Sequence, residues 1–447
     1  MLWQLRVGVA WDPTGTGTWA VRDGFGTYND LQDTQGFRLS SNLPYNGRLA
    51  YTGAGVHLLS IVPLSPLTLL APTCDAQLVA VKLPCSTYSV GGVDPTMHAP
   101  TVEQWSFTVE RGITKDIVLQ LGYVGSEAYH TLIPENLNAP YPQVCTNPTD
   151  PRGCPSGGVG RPVAFVPPGT TYEPPGPRPN PYTDKTNSQQ FAGTSNYQAL
   201  NVSLIKRFSA GLTFKTNYTF SKALDYNSAG SSSSGTNQPK SILDPFDLKL
   251  SRGIAAFSLQ HQFNASVAYQ LPFGNGQRWG TGASGLVDRL IGGWQWNGIV
   301  TAQSGFSLTP QVGANTSGTG VTDNPDVPNW NPAFSGPVIL GRPDKWFDPT
   351  AFGPTPPTNG TFGNVARGSI IGPGLTTFDT SLFKTVSINE RWRLQFKAEA
   401  FNIFNHSNFA EPNAVVFSGN SISSSAGLIT GTATTSRQLQ FALKLQF

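Results

Sequence analysis

Apolar residues recur at every second position in about eleven segments of this chain, the period of a strand whose two faces meet different surroundings. In 391–404 one parity carries Trp392, Leu394, Phe396, Ala398 and Ala400, and the other carries Arg393, Gln395, Lys397 and Glu399. The last segment sets Leu439, Phe441, Leu443, Leu445 and Phe447 against Gln438, Gln440, Ala442, Lys444 and Gln446. Leu212, Phe214, Tyr218 and Phe220 alternate with Thr213, Lys215, Asn217 and Thr219, and Phe263, Val267, Tyr269 and Leu271 alternate with Asn264, Ser266 and Gln270. Weaker versions occupy 5–11, 18–28, 102–111, 116–125, 197–208, 292–304 and 376–387. At 18–28, Asp23 falls on the parity of Trp19, Val21 and Phe25, so the strand there carries a bulge or a different register.

The connections carry a second pattern. Short ones at 12–17, 112–115, 209–211 and 388–390, with a longer one at 272–291, alternate strictly with long ones at 29–101, 126–196, 223–258, 305–375 and 405–437. A soluble sandwich or propeller shows similar alternation, but it mixes loop lengths and has a charged outer face. An outer-membrane barrel has short periplasmic turns and long extracellular loops, and its strands of about 9–11 residues cross the hydrocarbon layer at a tilt. The pattern predicts an all-β chain. It is an antiparallel transmembrane β-barrel meander of about eleven strands, one barrel domain over 1–447, with the apolar parity toward lipid and the polar parity toward the lumen. The expected location is the bacterial outer membrane, with its lipid as the immediate partner.

Strand parity sharpens this. If the last strand runs toward the periplasm, the first of eleven does too, whereas single-chain bacterial barrels have even strand counts. Met1 also leads almost directly into the first alternating segment, with no basic start, apolar core or cleavage site of a signal peptide. The expectation is the C-terminal part of a longer barrel protein or a truncated gene product, whose missing N-terminal strands would lie between 5–11 and 439–447 in the full protein.

Composition agrees with a lipid-facing surface. Charged residues are 12% of the chain, against roughly 25% in soluble domains. The 48 Gly and 37 Pro predict many turns and few long helices. A formal net charge of +3 without a basic block argues against nucleic acid as a partner. The longest apolar run, 56–72, is interrupted by Pro63, Pro66 and Pro72 and is not a spanning helix. It reads as a loop that contacts lipopolysaccharide, a ligand or a partner, or that packs against other loops.

Candidate chemistry is sparse. There is no HExxH, no GxSxG and no GxGxxG between a strand and a helix, so no enzyme activity and no cofactor are expected. His57, His98, His130, His261 and His406 read as loop or interfacial residues. Asp323, Asp326, Asn329 and Asn331, interleaved with prolines, fit either Ca²⁺ ligation or Asx and Pro turns. The run 227–236 reads as a mobile loop tip. Cys74 and Cys85, and Cys145 and Cys154, form two close pairs in Pro- and Gly-rich stretches, read as loop disulfides or free thiols; their spacing does not fit zinc, and no metal site is expected.

Several stretches, in order, resemble the C-terminal half of TonB-dependent receptor-like (Oar-like) barrels that carry an N-terminal carboxypeptidase-regulatory-like domain. They are LRVGVAWDPTGTGTWAVRDGFGTY (5–28), VEQWSFTVERGITKDIVLQLGYVGS (102–126), SNYQALNVSLIKRFSAGLTFKTNYTFSKALD (195–225), HQFNASVAYQLPFGNG (261–276), GGWQWNGIVTAQSGFSLT (292–309), DKWFDPTAFG (344–353) and RLQFKAEAFNIFNHSNF (393–409). The resemblance implies a barrel of about twenty-two strands filled by an N-terminal plug and energised uptake of a nutrient, unidentified here, through TonB. No plug, energy-coupling box or regulatory-like domain lies within this chain, so TonB is a partner only if a plug is present in the full-length protein. The terminal aromatic on an alternating strand resembles the signal read by the barrel assembly machinery, with Phe441, Leu443, Leu445 and Phe447 on one side and the strand backbone available for strand addition. The leading expectation is an outer-membrane uptake receptor, here as a barrel portion; a passive outer-membrane pore and a structural or adhesive β-protein are the alternatives.

Overall fold

The computed structural model describes residues 3–30, 88–96, 98–180, 183–228, 239, 241–320, 326–389 and 391–447. Eleven strands follow one another in chain order across one sheet, each antiparallel to the next. They are β1 (Arg6–Trp11), β2 (Trp19–Asn29), β3 (Thr101–Gly112), β4 (Ile117–Glu135), β5 (Thr183–Ser209) and β6 (Leu212–Asp225). The remainder are β7 (His261–Gln270), β8 (Trp294–Gln303), β9 (Leu375–Ser387), β10 (Arg393–Phe401) and β11 (Gln438–Gln446). Two short strands join off this path: Tyr88–Val93 runs parallel to the start of β5, and Gly253–Ile254 pairs with the end of β6. Because successive strands reverse, the short connections all fall on one rim and the long ones all on the other.

The tight turns follow from local chemistry. Ala210 and Gly211, between β5 and β6, both have positive φ (50° and 79°), as a two-residue hairpin with the sheet's twist requires. The Asp12 carboxylate accepts from the backbone N–H of Thr14 (3.0 Å) and of Gly17 (2.7 Å), closing the β1–β2 turn.

The register carries one apolar face across the whole sheet. One cross-strand row reads Val9, Asp23, Phe107, Tyr123, Leu200, Phe220, His261. A later row reads Tyr269, Trp296, Leu382, Ala398, Phe441. A one-residue slip within these rows would turn the following apolar set to the other face; the shifts in β4–β5 and β5–β6 pairing lie outside them, at Gln190–Thr194 and at the turn between Lys206 and Ser209.

Two expectations need correcting. β2 pairs without interruption with β1 from Arg6↔Gly26 to Trp11↔Val21, and with β3 from Trp19↔Arg111 to Asn29↔Thr101. There is neither a bulge nor a changed register, and Asp23 stands on the apolar face between Val9 and Phe107. The stretch 126–196 is also not all loop. β4 and β5 stay paired beyond Ser126↔Tyr197 up to Glu135↔Ser188, with irregularities around Gly193. Alternation fades there because both faces of this extension carry polar residues such as Glu127, His130 and Gln190.

The packed core lies in the long connections rather than the sheet. Leu308, Val312, Val327, Phe347, Phe352, Val365 and Ile370 from 304–374 pack with Val416, Phe417 and Ala426 from 402–437, all buried. Among the described residues β1 and β11 each have one strand neighbour.

Candidate functional site

Three surfaces are set by this fold. The first is the apolar face, where Val9 is 59% exposed, Phe107 48%, Leu200 45%, Phe220 44% and Leu443 68%. Water-exposed apolar patches on soluble proteins rarely exceed a few hundred Å², so a continuous face of this kind marks contact with an apolar medium. Cations on this face near the short-turn rim meet tryptophans: Arg111 lies 4.8 Å from the Trp19 ring and Lys384 5.2 Å from the Trp294 ring. Trp392 and Phe447 are also in contact, with ring centroids 5.4 Å apart. Such rings and long cations sit where hydrocarbon gives way to headgroups. Phe441, Leu443, Leu445 and Phe447 all end this face on β11, exposed, with Phe441 stacked on Phe396 at 6.3 Å.

The second surface is the opposite, polar face. Ser203 Oγ donates to Asn217 Oδ1 (2.6 Å), Thr219 Oγ1 to Asn201 Oδ1 (2.8 Å) and Asn297 Nδ2 to Ser381 Oγ (3.0 Å). Arg22 pairs with Glu110 at 2.5 Å. These rungs leave a hydrogen-bonding wall suited to water and polar solutes. Ile299 is an exposed apolar exception on it.

The third surface is the cap built by the long connections. Arg367, 4% exposed, donates through Nη1 to the Asp225 carboxylate (2.6 Å) and carbonyl (2.9 Å), and through Nη2 to Ser228 Oγ (2.6 Å). This pair ties the end of β6 to the 304–374 connection. Asp326, 2% exposed, accepts from Ser317 N (2.6 Å), Ser317 Oγ (2.8 Å) and Thr316 Oγ1 (3.1 Å), while burial pushes its carboxyl up. Glu173 is fully buried with no hydrogen-bond partner for either carboxylate oxygen; burial first and nearby Asp244 second raise it to about 8. Cys145 and Cys154 are joined by a disulfide with Cα atoms 5.7 Å apart, packed with Val166 and Tyr172.

The other candidate residues scatter. Asn329 Oδ1 accepts from Asn364 N (3.1 Å), and Asn331 bonds Ala333 N and the Thr350 carbonyl, so neither joins Asp326 around a common point. These bonds are those of turns. Among the described residues no three His, Cys, Asp or Glu side chains are grouped to hold a metal. His98 stacks on His130 at 4.7 Å, and His261 Nδ1 bonds Tyr218 Oη at 2.7 Å. The His406 backbone N–H donates to Asn402 Oδ1. Cys74, Cys85, His57, Asp323, the apolar stretch 56–72 and most of 227–236 lie outside the described residues. Arg367, Asp225 and Glu173 carry no sequence signal, since each stands alone in a connection or at a strand end with no motif around it.

A family model described as an outer membrane beta barrel domain matches residues 2–440. No curated protein gives a match. Among solved structures, the outer membrane transporter YddB from Escherichia coli aligns with 98% of this chain and 39% of its own length, at 10% identity and a TM-score of 0.44. The FrpB iron transporter from Neisseria meningitidis aligns with 99% of this chain and 39% of its own, at 10% identity and 0.40. The ferric-catecholate import receptor Fiu from E. coli K12 covers 99% and 34%, at 8% identity and 0.40. The chain thus spans less than two-fifths of the length of these similar structures.

Proposed function

The chain belongs to the outer membrane beta-barrel domain family, and from that premise we propose that it is the receptor wall and cap of an outer-membrane uptake protein, supplied here as the C-terminal portion of the barrel. The observation that carries this reading is the ordered cap on one rim. A pore needs only a wall, whereas here two long connections share a core and are fixed to the wall by the buried Arg367–Asp225 pair. The long-loop rim faces the exterior and the short turns face the periplasm. The cap and the polar face bind and pass the nutrient by hydrogen bonding, without catalysis.

β1 and β11 run in the same direction, each with one unpaired edge among the described residues. An all-antiparallel closure therefore takes an odd number of strands between them beyond those described. In lipid each unsatisfied edge group costs several kcal/mol, which favours such completion. Energised uptake through TonB then depends on a plug in the full-length protein. Phe441, Leu443, Leu445 and Phe447 serve as the signal for the assembly machinery, whose first contact is the free edge of β11.

The test uses the full-length gene product. Its reading frame upstream of Met1 should encode further strands and a plug. Planar bilayers should show no steady conductance, and uptake in cells should vanish when TonB is removed. A constant large conductance with TonB-independent uptake contradicts the receptor reading and establishes the passive pore.

A further inference from the structure

Near the long-loop rim the apolar face is hollowed. A groove of about 340 Å³ is lined by Tyr123, Leu200 and Phe220 from the wall and by Ile254 and Ile371 from connections folded against it, with Lys222 at its upper end. Lys222 is exposed and makes no ion pair with a described residue. The hydroxyl of Tyr123 donates to Gln198 Oε1, which leaves Gln198 Nε2 as a free donor on the residue paired with Lys222 across β5 and β6, both lining the groove. One row higher, Arg252 donates to Thr194 Oγ1 and Asn196 Oδ1, both at 2.8 Å, with Glu127 opposite Asn196 on β4.

The vertical order of these groups is informative. Lys222 lies ten residues along β6 from Leu212 at the short-turn end. At about 3.3 Å per residue and a tilt near 40° this is a height of about 25 Å, the height of the apolar band of an outer-membrane wall. The groove thus has hydrocarbon-compatible side chains inside the membrane and a cation at its exterior boundary. It lies on the outside of the wall, where lipid reaches it and a solute in the lumen does not.

We propose that this groove binds one phosphorylated, acylated glycolipid of the outer leaflet. An acyl chain lies along Phe220, Leu200 and the Tyr123 ring, and the phosphate meets the Lys222 ammonium and the Gln198 amide. Glu127 repels the phosphate from the β4 side and so confines it to Lys222. The inference rests on the rim assignment above and not on nutrient uptake.

The test is native mass spectrometry of the detergent-purified protein with diphosphoryl lipid A, its dephosphorylated form and phosphatidylethanolamine as separate probes. Wild type should retain one diphosphoryl lipid A in preference to either other lipid. Lys222→Gln should lower that occupancy about tenfold, and Lys222→Arg should keep it. Equal occupancy in the two variants, or equal retention of phosphatidylethanolamine by wild type, overturns the proposal. A heat-modifiable band shared by all variants shows that each folds. Labelling of Asn420→Cys, an exposed turn position in the 402–437 connection, from outside intact cells reports the rim assignment separately. With Asn420→Cys labelled, absent lipid retention rejects the groove alone; without labelling, the rim assignment and the groove both fall.

Discussion

Arg367 and Asp225 are 142 positions apart in the chain and 2.6 Å apart in the fold, both buried. A buried ion pair is weak grounds for net stability, but removing one partner leaves an uncompensated charge, which costs about 3–5 kcal/mol. Arg367→Ala and Asp225→Ala should therefore each loosen the cap, read as faster proteolysis within 304–374. Arg367→Met combined with Asp225→Leu should recover much of the loss. Equal protease resistance in wild type and Arg367→Ala would show that the pair does not hold the cap.

Leu394 and Gln395 are neighbours on opposite faces of β10, paired with Leu445 and Lys444 of β11. An arginine on the lipid side costs about 2–4 kcal/mol near the midplane, and one on the lumen side far less. Leu394→Arg should sharply lower the heat-modifiable fraction in membranes, while Gln395→Arg should leave it near wild type. Equal losses would contradict the face assignment.

Glu173 titrates in the cap. Its folded value is about 8 against an ordinary 4.5. Between these values the folded state holds a proton that the unfolded state has lost, so this residue's contribution to stability falls as pH rises from about 4.5 to about 8 and is level outside that window. Asp244, also raised, acts in the same direction. Glu173→Gln should flatten the slope of melting temperature between pH 5 and 8 relative to wild type, and raise it most at the alkaline end. An unchanged difference between the two proteins across that range would remove Glu173 as the cause.

The Cys145–Cys154 bridge closes a short loop, with a sequence separation of 9, for which chain-entropy arguments give about 2–3 kcal/mol. Reduction, or replacement of both cysteines by Ser, should open 145–172 to protease while leaving the wall heat-modifiable. Loss of the wall as well would mean that this loop supports more than itself.

How far the sequence reports the fold depends on the medium. A wall between lipid and water forces period-two alternation, so all eleven strands and the two faces of each are legible, whereas pairings such as Phe396 beside Leu443 are set by the folded sheet. Even Asp23 keeps its place in that register, although its chemistry suits the face poorly. Beyond Gly125 and Tyr197 the hairpin leaves that two-phase environment, both faces become polar, and the pairing of β4 with β5 is hidden. The cap is hidden for another reason. Leu308, Val312, Phe347 and Phe352 enter its core one at a time from strands of two or three residues, a single 3-10 turn and loop, pieces too short to show a period. Arg367 comes from a connection and Asp225 from the end of β6, and only the folded chain brings them together.

The central claim is that one parity of each strand meets lipid and the other meets water. It is tested most directly by a spin-label scan of 212–220 on β6 in a cysteine-free background, reconstituted in bilayers, with oxygen as the lipid-phase probe and a nickel chelate as the aqueous one. Labels at 212, 214, 216, 218 and 220 should be relaxed by oxygen, and those at 213, 215, 217 and 219 by nickel. Uniform access of nickel to all nine positions, or oxygen access without a period of two, would contradict the account.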